Sequence, residues 1–251
     1  MKRISYIIAL YVLTSYPFTA NAQNINFDTM REKLRYEKED TGKVNLLNEL
    51  SRKFNELAYY DSGTKYSTNA LSLAKKINFE KGKADAQINF TWTYYNRKNV
   101  FDSSLVLGYL RNALMLFEET GDKKSIANSY VIFGRMYFSF QQDFPKATEY
   151  FFKALKQYEA INDKSGIANC FQLLGLMYIN NDNFQKGYKY TLDALTIYEG
   201  LRDSLNIAYL NIYLGVIYSG LYSGSDHNKA LKSCSRGLQI YSILGNRGPL
   251  F

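Results

Sequence analysis

Few residues in this chain of 251 have the type and spacing to do chemistry. His227 is the only histidine, with Asp226 beside it and no cysteine or further carboxylate at ligand spacing. That excludes a histidine-based zinc cluster, and a Ser-His-Asp triad would rest on one loop residue. There is no Gly-rich phosphate loop, Ser129 and Ser165 have no base arranged beside them, and Glu118-Glu119 reads as solvated surface at a helix end. Cys170 and Cys234 are the only thiols and read as small buried hydrophobes, Cys234 at a buried anchor position. Asn89-Phe90-Thr91 matches a glycosylation sequon but lies inside an expected helix. No catalytic residue, metal site or cofactor is expected.

The elements that would position any binding residues come from a repeat. Asp122-Lys123-Lys124-Ser125-Ile126-Ala127-Asn128 returns as Asp163-Lys164-Ser165-Gly166-Ile167-Ala168-Asn169. A small residue recurs as Ser51, Thr91, Gly134, Gly175 and Gly215, in steps of 40, 43, 41 and 40 residues. Three places on stand Phe54, Tyr94, Tyr137, Tyr178 and Tyr218. A second small position reads Ala70, Ala113, Ala154, Ala194 and Gly237, followed four places later by Ala74, Phe117, Tyr158, Tyr198 and Tyr241. Glycine inside a helix costs on the order of 1 kcal/mol against alanine, so its return at one position calls for a close helix crossing. Turn residues (Gly121-Asp122, Asn162-Asp163, Asn181-Asp182-Asn183) punctuate the periodic runs, and Pro145 falls where a second helix should open. The expected fold is all-α, a right-handed α-solenoid of about five helix-turn-helix repeats.

At these residues the chain resembles a tetratricopeptide repeat (TPR) array. The family pattern reads Phe171, Leu174, Gly175, Tyr178, Gly187, Thr191, Ala194 in one unit and Tyr130, Phe133, Gly134, Tyr137, Ala147, Phe151, Ala154 in the unit before it. The departure is the period, above 40 residues here against a usual ~34. The chain is similar to the long-period arrays that precede a membrane helix and a histidine kinase or helix-turn-helix regulator in Bacteroidetes-type bacteria. The resemblance implies units over 41–80, 81–121, 122–162, 163–202 and 203–246. It also implies a binding groove on a concave face lined by the first helix of each unit.

Helical spacing from the small position turns four residues per first helix toward that face. They are Asn45, Asn48, Arg52 and Asn55; Asp85, Ile88, Trp92 and Tyr95; Asn128, Val131, Arg135 and Phe138; Asn169, Gln172, Leu176 and Ile179; Tyr209, Ile212, Val216 and Ser219. Asn45, Asn128 and Asn169 share one position, and a row of amides can hydrogen-bond an extended peptide from donor and acceptor sides. Arg52 and Arg135 could hold a carboxylate. Asp85, Trp92 and Gln172 complete the candidate groove. Two readings stand beside each other: groove contacts, or helix-start polar residues with Trp92 in the core.

The ends and the charge complete the picture. Lys2-Arg3, the apolar run Ile4 to Leu13, and Ala20-Asn21-Ala22 form a signal peptide over 1–22, which places the protein outside the cytoplasm, periplasmic or secreted. Its removal lowers the formal charge from +8 to +6, spread among acids with no basic block, so direct nucleic-acid binding is not expected. No later segment suits a membrane span. Residues 23–40 read as a capping segment, and 247–251 as the truncated start of a linker into another unit. The last helix then pairs with a partner, with another copy, or with a continuation of the chain. The expected function is a non-catalytic scaffold binding a protein or peptide; the rival reading is the sensory region of a signalling protein.

Overall fold

Asx residues ahead of several of the apolar runs act as helix caps. In the computed structural model, which describes residues 27–97, 103–181, 183–221 and 227–244, eleven helices follow one another with no strand among the described residues. The signal peptide at 1–22, residues 23–26 of the capping segment and the linker at 247–251 lie outside the described residues. The helices are α1 (Phe27–Tyr36), α2 (Thr41–Glu56), α3 (Tyr60–Lys76), α4 (Glu80–Arg97), α5 (Ser103–Thr120), α6 (Lys123–Met136), α7 (Phe144–Ala160), α8 (Lys164–Asn180), α9 (Phe184–Leu201), α10 (Ser204–Leu221) and α11 (His227–Ile243). The side chain of Asp40 accepts from Gly42 N at 2.8 Å, Asp143 from Lys146 N at 3.0 Å and Asp163 from Gly166 N at 3.0 Å, each satisfying an orphan donor of a first turn. Pro145 sits in the first turn of α7. Gly121 and Asn162, both expected turn residues, adopt left-handed backbone at φ 69° and 54°. α6 continues into a π-helical turn, Tyr137–Gln141.

The chain divides into two compact units, Met1–Ser129 and Tyr130–Phe251. In the first, Leu46, Leu50 and Phe54 form a core onto which Phe27, Met30 and Leu34 of α1 pack. The rings of Phe27 and Phe54 stack at 4.3 Å. A second cluster joins Val44 and Leu47 of α2 to Ala70, Leu73 and Ala74 of α3 and Ala86 of α4.

In the second unit the small positions are where helices touch. A Cβ on Gly134 would come 2.5 Å from the Phe151 ring of α7. One on Gly175 would come 2.8 Å from Thr191 Oγ1 of α9, and one on Gly237 would come 2.6 Å from the carbonyl oxygen of Ala208 in α10. Ala154 and Ala194 are fully buried. The aromatics one turn away fill the flanks: Tyr137 stacks on Tyr150 at 5.3 Å and Tyr178 on Tyr190 at 5.5 Å. A lysine early in each second helix then covers the tyrosine of the first: Lys146 over Tyr137, Lys186 over Tyr178 and Lys229 over Tyr218, at 5.2, 5.2 and 6.0 Å from the ring centroids.

Candidate functional site

The first unit holds Asn45, Arg52, Asp85, Trp92 and Asn128. Asn45 and Asn128 are exposed at helix surfaces. Arg52 is exposed and its guanidinium is engaged by Glu56 of its own helix at 2.6 Å, so a ligand carboxylate must compete with a neighbour one turn away. Trp92 is half-buried and meets Tyr95 edge to face at 5.6 Å. Asn48 and Asn55, expected to face a groove, are instead buried between α2 and α4. Asn48 Nδ2 donates to Gly82 O at 2.9 Å, Asn55 Nδ2 to Asn89 O at 3.2 Å, and Asn89 Nδ2 to Asn48 O at 3.0 Å. Thr93 Oγ1 adds a bond to Asn55 Oδ1 at 2.8 Å. These amides join successive first helices to each other, which helical spacing alone could not distinguish from facing solvent. The same bonds occupy the sequon residue Asn89.

Asp85 sits half-buried near Lys81 and Asp122, which are joined at 3.4 Å. Burial pushes its carboxyl up to about 6, with the Asp122 charge adding to the rise and Lys81 opposing it. Burial also raises Asp122, but the Ser125 backbone and hydroxyl and then Lys81 outweigh it and hold that carboxyl below the usual range. The folded chain thus binds a proton at Asp85 more tightly than the unfolded chain does. Its contribution to stability is present below the ordinary 3.8 and is lost as the pH rises through about 6. Asp85→Asn is expected to raise stability by about 1–2 kcal/mol at pH 7.5, with the gain gone near pH 4. Thermal melts of both proteins across that range check it.

The second unit holds Arg135, Asn169 and Gln172, all half-buried. Arg135 lies within electrostatic reach of the hydroxyls of Tyr158, Tyr198 and Tyr209 and of the Cys170 thiol. Burial dominates each of these groups: it pushes Tyr209 and the Cys170 thiol up to about 12, and the Arg135 charge draws both partly back. Gln172 hydrogen-bonds the Tyr209 hydroxyl, while its Oε1 is buried with no hydrogen-bond partner among the described residues. The Arg135 guanidinium of α6, the Gln172 amide of α8 with its unused acceptor, and the phenols of Tyr158, Tyr198 and Tyr209 on α7, α9 and α10 therefore lie near one another. The arrangement can receive a carboxylate or a peptide group; it holds no nucleophile paired with a base. Arg135 and Gln172 are among the residues that helical spacing offered as groove candidates, whereas Tyr158 and Tyr198 entered the sequence pattern only as packing anchors. Cys170 is buried and free, and Cys234, expected at a buried anchor, is free and half-buried against Ile212.

His227 is exposed at the start of α11. Among the described residues no cluster of His, Cys, Asp and Glu could hold a metal ion, and no helix is long and apolar enough to cross a membrane.

This fold is a TPR-type helical repeat, as the residue pattern implied. Solved structures with the same fold include BtubC from P. vanneervenii, at TM-score 0.68 and 16% identity over 92% of this chain and 95% of that one. A Rap protein complexed with competence and sporulation factor aligns at TM-score 0.73 and 16% identity, over 98% of this chain and 61% of that one. The STAND protein with a tetratricopeptide repeat sensor from Pyrococcus horikoshii aligns at TM-score 0.60 and 17% identity, over 88% of this chain and 36% of its own length. No protein-family model and no curated protein matches the sequence.

Proposed function

We propose that the protein is a non-catalytic scaffold that binds an extended peptide segment of another protein on the inner faces of α6, α8 and α10. Arg135 takes a carboxylate or carbonyl oxygen of the peptide, and Gln172 Oε1 accepts a backbone N–H. The observation that carries this reading is the Gln172 acceptor. A buried polar atom left without a hydrogen bond costs about 1–3 kcal/mol, and a peptide N–H supplied by a ligand recovers it in the bound state. The Rap structure, a complex with competence and sporulation factor, supports binding of a partner as a use of this fold.

The test is an array of short peptides probed with the full chain, the strongest binder then being titrated by fluorescence anisotropy. Arg135→Gln is expected to weaken that peptide at least tenfold, about 1.4 kcal/mol, with the helical circular dichroism unchanged. Gln172→Leu removes the orphan acceptor and with it the bond to the Tyr209 hydroxyl, so it is expected to weaken binding while the two opposing effects keep the change in stability to about 1 kcal/mol or less. Unchanged affinity in both variants places the peptide elsewhere, and an array with no binder refutes the reading.

A further inference from the structure

In the first unit the amide row of the first helices is broken once. Asn45 of α2 and Asn128 of α6 stand six places before the small residue, and on α4 that position is Asp85. The Asp85 side chain is half-buried, and among the described residues it accepts no hydrogen bond and joins no ion pair. Lys81 stands one turn before it, the weaker order for an i,i+4 pair, and is drawn instead to Asp122 at 3.4 Å. Asp122 is itself engaged as the cap of α6, accepting from the Ser125 backbone N at 3.1 Å and from its hydroxyl at 3.0 Å. What α2 brings to α4 here is neutral, the amides of Asn48 and Asn55.

The fold has thus taken a carboxylate part-way out of water without supplying a donor for it. That is why burial raises this group and why Asp85→Asn is expected to stabilise the chain. A cation brought by a ligand supplies what the fold does not. The rest of the stripe sets the shape of that ligand. Ile88 follows Asp85 by one turn and Trp92 by two, about 10 Å along the helix axis, and both are half-buried. Trp92 meets Tyr95 edge to face at 5.6 Å, making an aromatic corner.

A charged head on Asp85, an alkyl stem over Ile88 and a backbone beside the aromatic corner is the outline of a long basic residue. The planar, bidentate match to a carboxylate selects arginine over lysine. We propose that Asp85, Ile88 and Trp92 form a subsite for an arginine side chain on an exposed segment of a partner protein, with Asp85 pairing the guanidinium. The subsite belongs to the first unit, whereas Arg135 and Gln172 belong to the second, so it stands apart from the peptide site there. The charge of the whole chain does not create it: 31 Lys and Arg against 23 Asp and Glu repel a cation, so its capture is a local property.

Trp92 is the only tryptophan, so its fluorescence in the full chain reports on this subsite. The probes are acetyl-Gly-Arg-Gly-amide, the same peptide with citrulline, which keeps the shape and loses the charge, and spermidine as a free polyamine. The arginine peptide is expected to change the emission saturably, and the citrulline peptide to bind weaker by about tenfold or more. Asp85→Asn is expected to lose about tenfold or more of the arginine affinity while melting higher than the parent at pH 7.5. Between pH 7.5 and pH 5 the affinity of the parent should fall about tenfold as Asp85 takes up a proton, while Asp122, held below the usual range, stays ionised. A purely structural Asp85 would move the melt and none of the titrations. No saturable change with the arginine peptide, equal binding of the citrulline peptide, or unchanged affinity in Asp85→Asn overturns the proposal. Spermidine binding as tightly as the arginine peptide overturns it in favour of a small polyamine as occupant.

Discussion

Gly175→Leu is expected to destabilise the second unit by about 3 kcal/mol or more, the range of overpacking at a site that cannot yield. The added Cβ would stand 2.8 Å from Thr191 Oγ1 and 3.3 Å from both the Gly187 carbonyl oxygen and the Thr191 nitrogen. The hydroxyl cannot easily swing aside, because it donates to Gly187 O at 2.8 Å, and the other two atoms are backbone. On the facing side, a Cβ at Gly187 would come 3.1 Å from Gly175 O, so the two helices cross through a pair of glycines and neither can be enlarged alone. The control is Gly200→Ala in the same hairpin, where an added Cβ meets nothing within 4 Å. There the ordinary helix preference for alanine acts unopposed, and a gain of up to about 1 kcal/mol is expected. Thermal melts of the full chain should move in opposite directions for the two variants, by roughly 2–4 °C per kcal/mol in a protein of this size. If Gly175→Leu melted like the parent, the close crossing of α8 and α9 would be wrong.

The same glycines explain why the fold could be read ahead of the structure. A residue whose only use in a helix is to permit contact, returning every forty-odd positions beside an aromatic, constrains backbones that are far apart in sequence. Helix boundaries followed from cap chemistry, as at Asp163, because a short polar side chain ahead of an apolar run has one favourable local use. The inward face was harder. Periodicity gives the azimuth of a side chain about its own helix, but a residue turned away from its hairpin partner can meet either solvent or the neighbouring hairpin. Asn45 and Asn48 lie on adjacent parts of α2, and one is exposed while the other is buried against Gly82. Arg52 likewise is exposed, but its guanidinium is held by Glu56 one turn along the same helix. Arg135 and Gln172 come together because α6, α8 and α10 follow one another within the second unit, a proximity set by stacking rather than by local sequence.

That distinction between groove and glue carries the second large effect. Asn55→Ala is expected to cost about 2–3 kcal/mol, because it removes the donor to Asn89 O and the acceptor of Thr93 Oγ1 together in a buried site. Thr93 keeps its bond to Asn89 O at 3.0 Å, so Thr93→Val alone should cost less, and the double variant should fall short of the sum by about 1 kcal/mol. Gly63 closes over this amide, since a Cβ there would reach within 2.0 Å of Asn55 Oδ1, and the space left by alanine is too enclosed to be refilled by a moving side chain. Asn45→Ala, one face away and exposed, should leave the melting curve unchanged. Denaturant titrations of the four variants separate the cases. If Asn55→Ala were neutral for stability while peptide affinity fell, Asn55 would belong to a ligand surface and the amides would not be what ties α2 to α4.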